Sequence, residues 1–155
     1  MPRYPSGRAL PSPRLRPDIV RRTPVANFPA ITHVALTVTD LDRSAVWYER
    51  LLGVEPVLDE DAGGFYHKVY PLSGGMLLGL HLHPGGDNGE QFSVTRPGLD
   101  HVAFGCASRD ELTEWQARLE ELGIAHDGII DAAYGSGLSF KDPDGTALEF
   151  FAPPA

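Results

Sequence analysis

His33, His101 and Glu149 are the residues of this chain whose types and spacing best fit a chemical task. His33-Val34-Ala35 recurs as His101-Val102-Ala103, 68 positions later, so the two imidazoles stand at equivalent places of an internal repeat. The same offset pairs Asp42 with Asp110, Trp47 with Trp115, Arg50 with Arg118 and Leu51 with Leu119. Further on it becomes 70, pairing Gly53 with Gly123, Gly75 with Gly145 and Leu78 with Leu148. That register sets Glu149 opposite Gly79, an asymmetry that bears on every reading of the chemistry. Side chains alternate along a strand, so His33 and His101 take equivalent faces of equivalent strands, where a pseudo-twofold axis would bring them together. Two imidazoles and one carboxylate suit Fe(II), Mn(II), Zn(II), Ni(II) or Co(II), and leave coordination positions open for substrate or water. One divalent metal ion is the expected cofactor.

The elements that must position these residues are legible. Ile31 to Val38 alternates and is rich in β-branched residues, which predicts a strand with His33, Ala35 and Thr37 on one face. Asp40 then caps a helix whose apolar stripe is Leu41, Ala45, Tyr48 and Leu52, and Gly53 stops it. In the second copy, residues 100–106 read as a strand. Ser108-Arg109-Asp110-Glu111 has the form of a capping box, and Leu112, Trp115, Leu119 and Leu122 make the stripe before Gly123. After each helix the period shortens to strands split by glycine-rich turns. They are expected at 55–58, 65–71 and 76–83, then at 125–130, 137–140 and 147–151, with Asp142-Pro143-Asp144-Gly145 as a turn. Each copy is thus a strand, a helix and three strands. The expected fold is α+β, two paired βαβββ modules forming a half-barrel around a central cavity. Module one spans about 31–83, a linker 84–99, and module two about 100–151.

Composition bounds the function. Of 155 residues, 42% are hydrophobic, enough for a core without disulfides, and Cys106 is the single cysteine, which points to a reducing, cytoplasmic setting. Residues 1–30 hold six arginines, one acidic residue and half of the chain's 14 prolines, and are expected to be a disordered basic tail. Residues 31–155 carry seven basic against twenty acidic residues, which disfavours nucleic acid as a partner. No apolar run of 18 residues predicts a membrane span.

Several stretches together carry a resemblance: His33-Val34-Ala35, Asp40-Leu41-Asp42-Arg43-Ser44, Trp47-Tyr48, Leu51-Leu52-Gly53, Asp100-His101-Val102-Ala103, and Asp142-Pro143-Asp144-Gly145 leading to Leu148-Glu149-Phe150. Over residues 31–151 the chain resembles the vicinal oxygen chelate superfamily, the glyoxalase, bleomycin-resistance and extradiol-dioxygenase group. The resemblance implies paired βαβββ modules around a divalent metal, often in a homodimer, with His33, His101 and Glu149 on ligand positions and a small molecule as substrate.

Departures from the family pattern separate the chemistries. A glyoxalase I usually has a second metal-facing carboxylate where this chain has Gly79. His81 and His83 share that strand face, but a two-residue displacement of roughly 6.5–7 Å sets them too far along to replace it as ligands. Each is a candidate acid or base, since imidazole titrates near neutrality, whereas His67 and His126 are expected at the surface. Extradiol dioxygenases resemble the pattern more closely, with two His, one Glu and a further His, although they commonly place Tyr where Ser139 stands here. Fosfomycin-resistance enzymes need a hydroxyl at the position of Ala35. A metal-dependent dioxygenase or a lyase or isomerase is therefore expected. The alternative is a drug- or metabolite-binding protein of the bleomycin-resistance type, its cleft walled by Phe65, Tyr66, Tyr134 and Phe151 without catalysis.

Overall fold

Two helices begin where their caps predict. Asp40 is extended and its side chain accepts from Arg43 N, starting α1 (Leu41–Leu52), which Gly53 ends in the left-handed region at φ 69°. Ser108 starts α2 (Arg109–Leu122) by accepting from Glu111 N, and Glu111 reaches back to Ala107 N, one residue before the cap. The stripe of α1 is Leu41, Ser44, Ala45, Tyr48 and Leu51. Leu51 replaces the expected Leu52 because Ser44, Tyr48 and Leu51 follow the 3.6-residue period more closely. In α2, Leu112 and Leu119 are buried, with Trp115 and Leu122 packed against them in the core.

The computed structural model describes residues 29–85 and 90–154, so the expected tail at 1–30 lies almost wholly outside the described residues. The strands are β1 (His33–Thr37), β2 (Leu58–Asp61), β3 (Tyr66–Pro71), β4 (Leu77–Leu82), β5 (Val102–Gly105), β6 (His126–Ala132), β7 (Gly135–Lys141) and β8 (Ala147–Ala152). They form two four-stranded sheets, β1-β4-β3-β2 and β5-β8-β7-β6, not closed into a barrel. Only β1 with β4 and β5 with β8 run parallel. The fold is α+β, built of two βαβββ modules.

β2 departs most from expectation, lying three residues later than 55–58. Pro56 has no N–H to give a ladder, while the acidic run Leu58–Asp61 suits an outer edge where side chains stay in water. Lys68 of β3 pairs there with Asp59.

The modules meet through their helix-covered faces, in one core that includes Tyr48, Leu78 and Leu80 of the first and Leu112, Leu138 and Phe150 of the second. Trp47 stacks on Phe140 with ring centroids 6.4 Å apart. Across the same seam Tyr48 OH donates to Asp142 Oδ2 at 3.0 Å, and Thr39 N donates to Asp144 Oδ2 at 2.9 Å. Burial, then the neighbouring Asp142 carboxylate, drives the Tyr48 hydroxyl far above its ordinary pKa, so it remains a donor. Glu149 and the two repeat histidines therefore project from the sheet faces opposite this core. Among the described residues, β1 and β5 each have a single hydrogen-bonded neighbour, so each module shows an open edge there beside its histidine.

Candidate metal site

His101 and Glu149 come together in the second module. β5 and β8 pair in parallel with Ala103 opposite Glu149, and His101 Nε2 stands 3.6 Å from Glu149 Oε2. Two ligands at about 2.1 Å from one ion are separated by roughly 3.0–3.4 Å at octahedral or tetrahedral angles. The pair is therefore a few tenths of an ångström wider than a coordinated pair.

Each repeat histidine has its Nδ1 engaged by the residue before it. His101 Nδ1 is 2.7 Å from Asp100 Oδ1, and His33 Nδ1 is 3.2 Å from Thr32 Oγ1. A carboxylate on Nδ1 fixes the tautomer that leaves the Nε2 lone pair for a metal. Asp100 was readable beside His101 in the sequence, but its chemistry appears only when the imidazole is seen to turn back to it.

Gly137 of β7 makes room for the carboxylate. A Cβ built there would overlap Glu149 Oε1 and stand 3.2 Å from its Cδ. Glu149 thus reaches from beside His101 to the bare backbone of β7. The sequence offered one signal for this, a glycine inside a strand pattern, which often marks close approach. The donors fit a divalent ion: a free imidazole nitrogen, a carboxylate of matching spacing and a recess that holds it.

A cavity of ≈ 410 Å³ adjoins the pair, lined by second-module residues that include Asp100, His126, Ser139 and Lys141. His33 is not among them. Among the described residues, no three His, Cys, Asp or Glu side chains within the protomer are grouped to hold a metal. His33 lies on the corresponding face of the first module, which brings together a different set.

That set is a cluster of rings. Phe65 stacks on His81 with centroids 4.6 Å apart and planes at 20°, and lies 5.1 Å from His83 and 5.5 Å from His67. Burial first, then the nearby His67, His83 and His33, push the His81 pKa below its ordinary value. His81 is not confined to its own level of the strand, as backbone rise alone suggested. Its ring folds back along β4 so that Nε2 lies 3.0 Å from where a Cβ on Gly79 would stand.

The structure also places the remaining histidines and aromatic candidates. His67 is half-buried: it pairs with His81 in the β3–β4 register, and its Nε2, 3.6 Å from Glu60, has no hydrogen-bond partner among the described residues. His126 is half-buried, its Nδ1 accepting from Gly128 N. Tyr66 pairs with Leu82, on the face opposite Phe65 and His81, and lines a separate groove with Asp59 and Lys68. Strand alternation puts neighbouring Phe65 and Tyr66 on different sides, so only the first joins the rings. Tyr134 is exposed and stacks on Phe151 at 6.4 Å, beyond Glu149 along the second sheet.

A profile of the Glyoxalase/Bleomycin resistance protein/Dioxygenase superfamily matches residues 30–150. The chain is 33% identical over 122 residues to a catechol-2,3-dioxygenase of Bacillus subtilis (strain 168), covering 79% of this chain but 41% of that relative, about two fifths of its length. It is 33% identical over 124 residues to a trivalent organoarsenical cleaving enzyme of Bacillus sp. (strain MD1), covering 77% of this chain and 70% of the relative. The crystal structure of a glyoxylase/bleomycin resistance protein/dioxygenase domain from Frankia sp. EAN1pec superposes with a TM-score of 0.76 at 33% identity, covering 83% of this chain and 94% of that one. The chain belongs to the Glyoxalase/Bleomycin resistance protein/Dioxygenase superfamily.

Proposed function

We propose that this protein is a divalent-metal-dependent enzyme acting on a small substrate with two adjacent oxygens, with extradiol-dioxygenase-like chemistry favoured over that of glyoxalase I. The observation that carries the reading is the Asp100–His101–Glu149 arrangement, with Nδ1 held, Nε2 free and the carboxylate 3.6 Å away beside a cavity. His33 completes the ligand set from a second copy of the chain. Two features of the described residues support that assembly: β1 and β5 both present open edges, and an apolar groove lined by Val34, Leu77, Val102 and Phe104 runs beside them.

Fe, Mn, Zn, Ni or Co held there would supply Lewis acidity to the two substrate oxygens, and Fe(II) would in addition supply oxygen chemistry. The chain's own groups do the rest. Asp100 orients His101, and the missing side chain at Gly137 leaves room for the Glu149 carboxylate. His81 and His83 stand on the facing module as the two candidates to carry a proton, with Phe65 excluding water beside them. Gly79 removes the second carboxylate, which leaves no group of that kind to move a proton between neighbouring carbons of a hemithioacetal. The organoarsenical chemistry of one relative is a poorer match. Trivalent arsenic is a soft thiophile, and Cys106 is buried, its thiol pushed up to about 11 by burial and then by Glu111.

Mixing two inactive variants tests the reading. His33→Ala and His101→Ala chains should each lose activity, while mixed dimers regain one intact site of two. Oxygen uptake with catechols after anaerobic Fe(II) loading is the assay, run beside turnover of the hemithioacetal of methylglyoxal and glutathione. No recovery on mixing, with each variant folded and dimeric, removes the two-copy site, and robust hemithioacetal turnover removes the argument from Gly79. Tight binding of a drug or metabolite with no turnover would place the protein among the binders instead.

A further inference from the structure

Gly79 and Glu149 occupy the same place in their modules. Gly79 pairs with Ala35 in the β1–β4 register, as Glu149 pairs with Ala103 in the β5–β8 register. In the second module this register carries a carboxylate oxygen to 3.6 Å from the repeat histidine. In the first module the place is bare, yet it is filled. His81 Nε2 lies 3.0 Å and its Cδ2 3.3 Å from a Cβ built on Gly79, and Ala35 Cβ closes the other side at 3.4 Å. A glutamate's carboxylate oxygen lies about 3 Å from its own Cβ by ordinary bond lengths. Nε2 of His81 therefore stands at the distance from Gly79 where the donor oxygen of a carboxylate side chain at that position would be.

The ring is held there from several sides. Phe65 stacks flat on it, and His67 meets it edge-on with centroids 5.4 Å apart. His83 has no such seat. It lies beyond the end of β4, its ring centroid 6.2 Å from that of His81.

We infer that His81 takes the coordination place left bare at Gly79, so that the metal is held by His33 and His81 of one protomer with His101 and Glu149 of the other. This rests on the two-copy metal site proposed above. It also divides the roles of the two candidate proton carriers: His81 binds the ion through Nε2, and His83 alone is left to carry the proton. Three neutral donors and one carboxylate leave a divalent ion with one net positive charge, which favours an anionic substrate. An anionic oxygen chelator such as a catecholate matches that charge.

Co(II) titration of the full-length dimer, read by affinity and by the visible ligand-field spectrum, tests the assignment. His81→Ala should weaken Co(II) binding about 10- to 100-fold, the range typical of lost support at a metal site, and should change the spectrum. Gly79→Ala keeps the imidazole but sets a methyl group against Nε2, and should give the same loss with the fold intact. His83→Ala should lose turnover while keeping the wild-type affinity and spectrum. In His81→Ala/Gly79→Glu the carboxylate returns and affinity should recover. Wild-type affinity and spectrum in both His81→Ala and Gly79→Ala, with binding still lost in Glu149→Ala, would overturn the role of His81 and leave the two-copy site standing. Unchanged binding in Glu149→Ala and His101→Ala would overturn the site itself.

Discussion

Replacing Gly137 with alanine should move fold stability and metal affinity in opposite directions. Gly137 lies inside β7, paired with Phe151 on one side and Ile130 on the other, and its φ is outside the left-handed region. Alanine therefore fits the backbone, and relief of glycine's conformational entropy should stabilise the strand by about 0.5–1 kcal/mol. For a domain of this size that raises the thermal midpoint by roughly 2–5 °C. The new methyl group, however, overlaps Glu149 Oε1. The carboxylate must shift by roughly 1 Å to reach ordinary contact, while a functional metal site tolerates only about 0.2 Å in its ligand distances. Metal affinity should fall about 10- to 100-fold, or about 1.4–2.7 kcal/mol. Thermal denaturation of the metal-free protein and competition titration with a chromogenic chelator give the two numbers. Gly135→Ala is the contrasting control, because its Cβ would meet the Ala152 backbone oxygen at φ 142° and should destabilise the fold itself. Wild-type affinity in Gly137→Ala would refute the argument that the recess positions Glu149.

Three further outcomes are expected. Tyr48→Phe removes the buried donor to Asp142 at the seam between modules and should cost about 1.5–3 kcal/mol in urea denaturation, far more than a surface hydroxyl. Cys106, with its thiol pushed up to about 11, should resist iodoacetamide at pH 8 in the folded protein and react rapidly once unfolded. Because the folded value lies above the unfolded one, its contribution to stability is complete below the unfolded pKa and is lost as pH rises through about 11. Deleting residues 1–30 should leave the thermal midpoint within a few degrees, since a proline- and arginine-rich stretch offers little apolar surface to bury; a large drop would assign that stretch a role in the fold.

Much of the architecture was legible because the chain states it twice. Asp40, Gly53, Ser108 and Gly123 mark the helix ends by capping chemistry that acts within a few residues, so local sequence sufficed. β2 was misplaced because an edge strand needs no apolar alternation, and Leu58–Asp61 has none. The site was legible to the level of residue type and strand face. How the modules pair was not, since a repeat shows that two faces are equivalent without showing whether they meet in one chain. His81 was placed from strand rise, which fixes the spacing of backbones, whereas a ring beside a glycine can lie along the strand into the space the glycine leaves. Asp100 and Gly137 act only through the side chains they orient or admit, and no spacing rule marks such residues in advance.

The central claim is that these residues hold a metal ion. Elemental analysis of the wild type and of Glu149→Ala, after anaerobic exposure to Fe(II), Mn(II), Zn(II), Ni(II) and Co(II) in turn and removal of excess, tests it most directly. Close to one ion per chain is expected in the wild type for at least one of these metals, and almost none in Glu149→Ala. Wild-type protein that takes up none of them, or a variant that retains a full complement, would contradict it.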